Sequence, residues 1–401
     1  MGGRVPEGFF IRVGLFYASI FLMVGVFMPY FPVWLDSRGM TSGQIGFILA
    51  APLYIRIFLT PAIAFAADRS GDRRKVLVLL GAGTLFSCVM FGLTSDFWTI
   101  LAVMIIYSVF WTTVMPLTEV VAMEGVRAAG LDYGRMRLWG SWSFIVANFG
   151  GGFAVQYWGA PASLWMMLLA ASFVLAGACN LPRPTGKGLL RSATRVPVIR
   201  LRDAILLART PLFLLFLLAT AAVQSTHAVL YAFGVLHWRS LGISTGLIGA
   251  LVAFSVLAEI VLFSRSARVV AAIGPAGLIA AGAGAAVIRW SITAFDPPVA
   301  VLFAVQLLHG LTFGAAHLGA VHFISQAVPQ AAAATAQGLY ASITAGLVMG
   351  SAFALAGWLY GIYGGLAYLA MSVTGAVGLA AALLLMRTWD GRPIMRLRGA
   401  S

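Results

Sequence analysis

The feature that most constrains this chain is a series of twelve long hydrophobic runs. A helix that crosses a bilayer needs about 20 mainly apolar residues, and runs of that order recur along the whole sequence. They lie at roughly 9–34, 42–66, 76–95, 97–123, 137–158, 161–181, 210–236, 244–264, 275–295, 298–327, 334–360 and 364–386. The runs are too long for barrel strands and show no strict alternation. The sequence therefore predicts an all-α membrane protein with twelve transmembrane helices.

The composition excludes a single soluble domain. Hydrophobic residues make up 61% of the 401 residues and charged residues only 9%, whereas soluble proteins carry about 25% charged residues. Most of the surface must therefore face lipid. The two cysteines, Cys88 and Cys179, lie in separate apolar runs without metal-ligand spacing, so we interpret them as small core residues.

A basic segment divides the hydrophobic runs into two groups of six. Residues 182–209 combine Pro and Gly with seven Lys or Arg residues, which is typical of a cytoplasmic linker. We expect Val198–Leu207 to lie on the membrane surface as a short amphipathic helix. The predicted organisation is an N-terminal six-helix bundle at 1–181, this linker, a pseudo-symmetric C-terminal six-helix bundle at 210–390, and a cytoplasmic tail at 391–401. Transporters often pair two such halves around a site at the membrane midplane.

The net charge of +14 follows from membrane orientation and not from nucleic-acid binding. On the proposed topology, 22 of the 26 Lys and Arg residues lie at the termini or in loops on one face. The opposite loops hold only Arg38 and Arg239, and Arg56 and Arg289 lie within helices. This positive-inside pattern predicts a multi-pass protein of a bacterial-type cytoplasmic (inner) membrane with both termini in the cytoplasm. The first run shows no early cleavage site, so we expect a retained span.

Ionisable residues inside the apolar runs are the strongest indication of function. Arg56, Glu119, Glu259 and Arg289 lie well within runs, and Arg137 lies at the edge of one. A charge at a helix centre costs about 2.5–3.5 kcal/mol, so these groups must pair, meet water or, for the acids, be protonated. We expect Glu119 and Arg137 to face each other across a helical hairpin and to form one wall of a substrate site. Static ion pairs that fix helix packing are the alternative.

Further polar and aromatic residues extend this set. Trp142 and Phe144 follow in the same run as Arg137 and are expected either to stack on a substrate ring or to pack ordinarily. Gln224 and His227 form a polar cluster in the seventh run, which suggests that they line a cavity. His309 in the tenth run is a natural proton relay, because histidine titrates near neutral pH. The sequence provides no metal-ligand spacing, so we predict no metal site.

The segment between the second and third runs reads DRSGDRRK, residues 68–75. Gly71 permits a tight turn, and a plain charged cytoplasmic turn would account for the basic residues alone. The spacing and position resemble the signature loop of the major facilitator superfamily, although Ala64 stands where that family favours Gly. The residues that carry the resemblance are Asp68, Arg69, Gly71 and Arg73.

Longer stretches resemble the phenylpropionate permease branch of this superfamily, which is related to lactose permease and other sugar–proton symporters. They are MPYFPVWL near the start, PLTEVV and LDYGRMRLWGS in the middle of the first half, and QSTHAVLYAF, VLAEIVLF, AVIRWSITA and QLLHGLTFGAAHL in the second half. The resemblance implies that Glu119 and Arg137 occupy the positions where lactose permease holds its sugar. It also implies that Arg289 and His309 match an arginine and a histidine of that permease's proton pathway.

The chain departs from lactose permease at two positions. Thr312 and Val256 stand where that permease has essential glutamates, so its proton route cannot be intact here. Glu259, one turn beyond Val256, could replace either acid. Lactose itself is therefore not the expected substrate.

These observations predict a proton-coupled importer of a small aromatic carboxylate that works by alternating access as a monomer. Arg137 or Arg289 would hold the carboxylate in a bidentate contact. Glu259 would bind the proton, because burial favours its neutral form, and His309 would assist. No cofactor is expected beyond the proton gradient.

Three other functions compete with this prediction. In a sugar or nucleoside proton symporter, Glu119 would accept hydrogen bonds from hydroxyl groups while Arg137 donates. Efflux of hydrophobic drugs is less favoured, because the fifth run lacks the Gly-Pro pattern typical of antiporter relatives. An enzyme is disfavoured because the sequence has no Ser/His/Asp group, metal spacing or phosphate loop.

Overall fold

The computed structural model describes residues 7–70, 72–182 and 201–395. Within these residues the regular structure is helical. The α-helices are α1 (Phe9–Ser37), α2 (Ser42–Ser70), α3 (Arg73–Gly92), α4 (Phe97–Trp111), α5 (Val114–Ala129), α6 (Tyr133–Trp158), α7 (Pro161–Asn180), α8 (Leu201–Arg209), α9 (Pro211–Ser225), α10 (Ala228–Ser240), α11 (Thr245–Ser264), α12 (Ser266–Thr293), α13 (Val299–Leu307), α14 (Ala316–Ala327), α15 (Ala333–Tyr340), α16 (Met349–Tyr363) and α17 (Ala367–Thr388). π-Helical turns span Gly310–Ala315 and Ala341–Val348, and 3₁₀ turns span Gln330–Ala332 and Gly364–Leu366.

Ten helical stretches in the described part of the chain are long and apolar enough to cross a membrane, against twelve predicted runs. They are Phe9–Ser37, Ser42–Ala67, Arg73–Gly92, Phe97–Val126, Pro161–Asn180, Pro211–Ser240, Thr245–Ser264, Ser266–Thr293, Val299–Ala327 and Ala333–Thr388. The difference has two sources. α6 is not among the ten, and the last two predicted runs form one stretch of 56 residues.

Several predicted runs are interrupted within the span. α4 ends and α5 begins where Pro116 has no N–H to donate to the carbonyl of the preceding turn. α9 and α10 are separated at Thr226 and His227. The α12 segment bends at Gly274, whose φ of 66° a residue with a side chain would adopt only under strain. The predicted run at 275–295 therefore begins just after this bend, at Pro275.

The molecule contains two compact units. The first comprises the described residues within 1–194 together with Ala232–Ala253, and the second comprises those within 195–231 and 254–401. In the first unit α1 packs against α6 and α7. Small residues permit this close approach, because a Cβ on Gly25 would lie 2.8 Å from the Ala147 Cβ.

In the second unit α17 packs against α12 and α9, and α14 packs against α12. Its apolar core is centred on Phe216, whose ring stacks on Phe323 with 4.4 Å between centroids. α8 joins this core through Leu207, so the basic segment ends in a short packed helix that begins at Leu201. The remainder of the predicted linker, residues 183–200, lies outside the described residues. In the tail, the Ile394 amide donates to the Ala327 carbonyl at 2.8 Å, and residues 396–401 lie outside the description.

Candidate functional site

The α5–α6 hairpin builds a polar cluster in the first unit. α5 ends at Gly130, which has a φ of 64°. α6 begins after Asp132, whose carboxylate accepts from the Arg135 amide at 3.0 Å and so caps the helix. Tyr133 and Arg137 then lie one helical turn apart on the same face. The sequence thus turns this face of α6 back toward α5.

Glu119 on α5 is the centre of this first cluster. Its Oε1 lies 3.8 Å from Nε of Arg137, and its Oε2 accepts a hydrogen bond of 2.7 Å from the Tyr133 hydroxyl. Each side chain of the ion pair is 31% exposed. The buried Tyr17 hydroxyl lies beside the Glu119 carboxylate and has no hydrogen-bond partner among the described residues. The Glu119–Arg137 pair is therefore partly exposed, and it offers hydrogen-bond donors on Arg137 and acceptors on Glu119.

Aromatic rings of α1 cover the Arg137 guanidinium. Its Cζ lies 4.0 Å from the centroid of the Phe21 ring and 5.8 Å from that of Tyr17. Both distances are within the range of about 6 Å for a cation–π contact, and the contact with Phe21 is the closer. Arg137 is thus held by one carboxylate and by ring faces, a setting that suits a solute with both polar groups and a flat apolar part.

Arg289 on α12 is the centre of a second cluster, which lies in the second unit. Its side chain is buried, with 1% exposure. Nη1 donates to the Thr312 hydroxyl at 3.0 Å and to Nδ1 of His309 at 3.1 Å, and Nη2 donates to the Gln306 amide oxygen. The guanidinium also lies 4.5 Å from the Trp290 ring centroid. A buried cation is tolerated here because neutral acceptors surround it.

His227 is held on both ring nitrogens. Nδ1 lies 3.0 Å from the Gln224 carbonyl oxygen, which can only accept, so Nδ1 carries a proton. Nε2 lies 3.1 Å from the Thr312 hydroxyl. In the neutral ring Nε2 is then the acceptor, so the Thr312 hydroxyl donates to Nε2 while its oxygen accepts from Arg289. His227 is fully buried. The side chains of His227, Thr312 and Arg289 thus form one continuous chain of hydrogen bonds.

The hydrogen bond from Arg289 also fixes the tautomer of His309. A guanidinium only donates, so Nδ1 of His309 must be the acceptor and the neutral ring carries its proton on Nε2. Nε2 lies 3.8 Å from Oε2 of Glu259 on α11. The N–H of His309 thus faces a carboxylate whose side chain is 21% exposed. Among the described side chains of the cluster around Arg289, Glu259 is the acid.

The π-helical turn Gly310–Ala315 places Thr312 between Arg289 and His227. π-Helical turns are rare overall, and those that do occur are frequently found at functional sites. Gly310 lets the turn pass close to α11, because a Cβ there would lie 2.9 Å from the Ala258 carbonyl oxygen. The rings of His309 and Phe313 stack with 5.4 Å between centroids.

Some predicted site residues lie outside the first cluster. Trp142 is 57% exposed and lies about 140° around α6 from Arg137, since each residue turns an α-helix by about 100°. The Phe144 carbonyl accepts from the Asn148 side chain at 2.7 Å, and among the described residues the rings over the Arg137 guanidinium are those of Phe21 and Tyr17. Gln224 and His227, which the sequence predicts to line a cavity, are buried and are grouped with Arg289 through Thr312.

Sequence reasoning missed three residues of the first cluster, Tyr17, Phe21 and Tyr133. The signal was available for Tyr133, which stands four residues before Arg137. Tyr17 and Phe21 are also four residues apart, but an aromatic stripe on a first span is more often ordinary packing.

The segment at 68–75 connects several helices of the first unit. Asp68 and Arg69 lie in the last turn of α2, and Gly71 and the side chain of Asp68 lie outside the described residues. Asp72 caps α3 by accepting from the Lys75 amide at 3.1 Å. Arg73 forms an ion pair with Glu124 of α5. The basic side of the segment therefore ties α3 to α5.

Comparison with known proteins finds one family model and several relatives. The model of the MFS_1 like family matches residues 10–370. The probable 3-phenylpropionic acid transporter of Escherichia coli (strain K12) is 27% identical over 87% of this chain and 90% of that protein. The maltose permease of Geobacillus stearothermophilus is 28% identical over 93% of each. The crystal structure of the nucleoside transporter NupG has a TM-score of 0.82 at 16% identity, covering 96% of this chain and all of that one.

Proposed function

This chain belongs to the MFS_1 like family of membrane transporters, and we propose that it imports a small aromatic carboxylate together with protons by alternating access. The chain is a multi-pass membrane protein and not an enzyme. The proposal places it in a bacterial-type inner membrane with both termini in the cytoplasm, working as a monomer driven by the proton gradient without a bound cofactor.

We propose twelve membrane crossings in two six-helix bundles. The stretch Ala333–Thr388 has 56 residues, which at 1.5 Å per residue is about 84 Å and more than twice the hydrocarbon core. The 3₁₀ turn Gly364–Leu366 provides the reversal. α6 has 26 residues and is about 39 Å long, enough for a crossing. Reporter fusions after Tyr363 and at the C-terminus should report opposite sides of the membrane, and the same side for both would refute the count.

The observation that carries the proposed proton coupling is the Glu259 carboxylate oxygen Oε2, which lies 3.8 Å from Nε2 of His309. His309 holds its proton on Nε2 because Nδ1 accepts the hydrogen bond from Arg289, so the ring cannot take a second proton at Nδ1. Glu259 is then the group that gains and loses the transported proton, and His309 stabilises its anionic form. Protonation would weaken this attraction and change the balance of contacts between α11 and the π-helical turn.

We assign Gln224 and His227 to positioning and not to substrate binding. His227 is fully buried and both ring nitrogens are already bonded. Its Nε2 orients the Thr312 hydroxyl toward Arg289, and Arg289 in turn fixes His309. Arg289 is buried by the same network, which leaves Arg137 as the cation of these two clusters that a solute can reach.

The proton role is tested by uptake into proteoliposomes with radiolabelled 3-phenylpropionate. We expect an inward proton gradient to drive accumulation by the wild type. Glu259→Gln should abolish this accumulation and retain exchange of labelled for unlabelled substrate, because exchange needs no net proton movement. The matched control is Asp36→Asn, which neutralises an exposed acid at the end of α1. Gradient-driven uptake by Glu259→Gln at the wild-type rate would refute the role.

A sugar or nucleoside symporter is the second candidate, and one observation favours it. Glu119 and Arg137 compensate each other's charge, so together they offer an acceptor and a donor to neutral hydroxyl groups. Competition separates the two functions. Excess carboxylate should displace the bound ligand in the first case, whereas excess maltose or uridine should do so in the second.

A further inference from the structure

Arg56 on α2 is the intramembrane cation that neither polar cluster includes. It is half-buried. Among the residues that the structure describes it has no hydrogen bond, ion pair or ring contact. An unpaired charge inside a membrane is costly and normally indicates a substrate or ion path. Arg56 therefore requires a partner that the described residues do not supply.

The position of Arg56 along α2 limits what that partner can be. It stands midway between the ends of Ser42–Ser70, about 21 Å from each at 1.5 Å per residue. The hydrocarbon core extends about 15 Å on either side of its centre. An arginine near a helix end can reach lipid headgroups by snorkelling, but one at mid-helix cannot. The partner should thus be an anion that enters the protein from water.

The other two intramembrane arginines are less suited to that anion. Arg137 already faces the Glu119 carboxylate at 3.8 Å, so a second carboxylate there would be repelled by the first. Arg289 is buried, and three of its five N–H donors are already bonded to neutral acceptors. Among the described residues, Arg56 has no acid paired with it and no acceptor bonded to its N–H groups.

A second polar group beside Arg56 also lacks a partner. The Thr60 hydroxyl is buried and makes no hydrogen bond among the described residues. It lies one turn further along α2, on the same helical face. Buried polar groups are normally hydrogen-bonded, and an exception asks for an explanation. A ligand oxygen bound at Arg56 would be within one helical turn of this donor.

We propose that Arg56, assisted by the Thr60 hydroxyl, binds the carboxylate of the transported organic acid. The guanidinium fork would contact both carboxylate oxygens, as such pairs commonly do. This inference rests on the proposed function and deepens it, since it assigns the selectivity for an acid over a neutral solute to α2. Glu119 and Arg137 would then contact other parts of the solute.

The test compares acids with their neutral amides on purified protein in detergent. The probes are 3-phenylpropionate with 3-phenylpropionamide, and benzoate with benzamide, and ligand binding is followed by the rise in apparent melting temperature. We expect Arg56→Gln to weaken carboxylate binding at least ten-fold and to change amide binding less than two-fold. Arg56→Lys keeps a cation but loses the guanidinium fork, so its carboxylate affinity should lie between that of the wild type and that of Arg56→Gln. Arg38→Gln removes one cation at the end of α1 and should match the wild type.

Each outcome decides something different. Carboxylate binding by Arg56→Gln equal to the wild type overturns the inference and leaves the proposed function standing. If Arg56→Gln is not a monodisperse, folded protein, Arg56→Lys replaces it in the test. Equal carboxylate binding by Arg56→Lys and the wild type then overturns the inference. A wild type that binds maltose or uridine and no carboxylate overturns the proposed substrate class and this inference together. Stabilisation of the wild type by phosphatidylglycerol but not by carboxylates would assign Arg56 to lipid and overturn the inference as well.

Discussion

Replacing Thr312 by Val removes one oxygen that joins the two halves of the second cluster. The change conserves shape, so the effect comes from the hydroxyl. Arg289 loses an acceptor at 3.0 Å and His227 loses a donor at 3.1 Å. A hydrogen bond to a charged group contributes about 1.5–3 kcal/mol, and a buried group left without a partner costs about 1–3 kcal/mol. We therefore expect a loss of about 2.5–6 kcal/mol.

The assay is thermal unfolding of purified protein, with Thr312→Ser as the control that keeps the hydroxyl. An unfolding entropy of about 2.1 cal/mol/K per residue makes 1 kcal/mol equal to about 1 °C for a chain of this length. Thr312→Val should then melt about 2.5–6 °C below Thr312→Ser. A difference under about 1 °C would show that the hydroxyl does not hold Arg289 and His227 together. The double variant with His227→Gln should lose less than the sum of the single changes, because the groups share one network.

Two further predictions concern packing and a helix cap. Gly282→Ala should lower the melting temperature, because a Cβ there would lie 2.8 Å from the Leu311 carbonyl oxygen and overpacking costs about 1–3 kcal/mol; Gly284→Ala on the same helix meets nothing within 4 Å and should be neutral or stabilising. The Thr99 hydroxyl and nearby amides hold the pKa of the Asp96 carboxyl below its ordinary 3.8. The ionised carboxylate therefore stabilises the folded state above pH 3.8, and this stabilisation is lost as the pH falls through the lowered pKa. The melting temperatures of the wild type and Asp96→Ala should accordingly differ at pH 7, and the difference should shrink as the pH is lowered below 3.8. A difference that stays unchanged over that range would contradict the assignment.

The predicted pairing of Glu119 with Arg137 depended on a short connection, which is why sequence could indicate it. Two spans joined by three residues must be neighbours, and the four-residue spacing of Tyr133 and Arg137 puts both on one face of α6. The network around Arg289 had no such local signal. His227 and Thr312 are 85 positions apart, and helical periodicity gives the direction of a side chain without giving the helix that it meets.

The sequence by itself determined that this chain crosses a membrane many times and carries charged groups inside its spans. Both conclusions follow from transfer free energy, which depends on residue type and run length alone. Only the tertiary structure decided which charges compensate one another. It buried Arg289 and His227 with Thr312, set Glu259 against His309, and left Arg56 without a partner among the described residues. Such contacts depend on how helices distant in sequence pack, because hydrogen bonds act over about 3 Å and are decided by geometry that no linear pattern records.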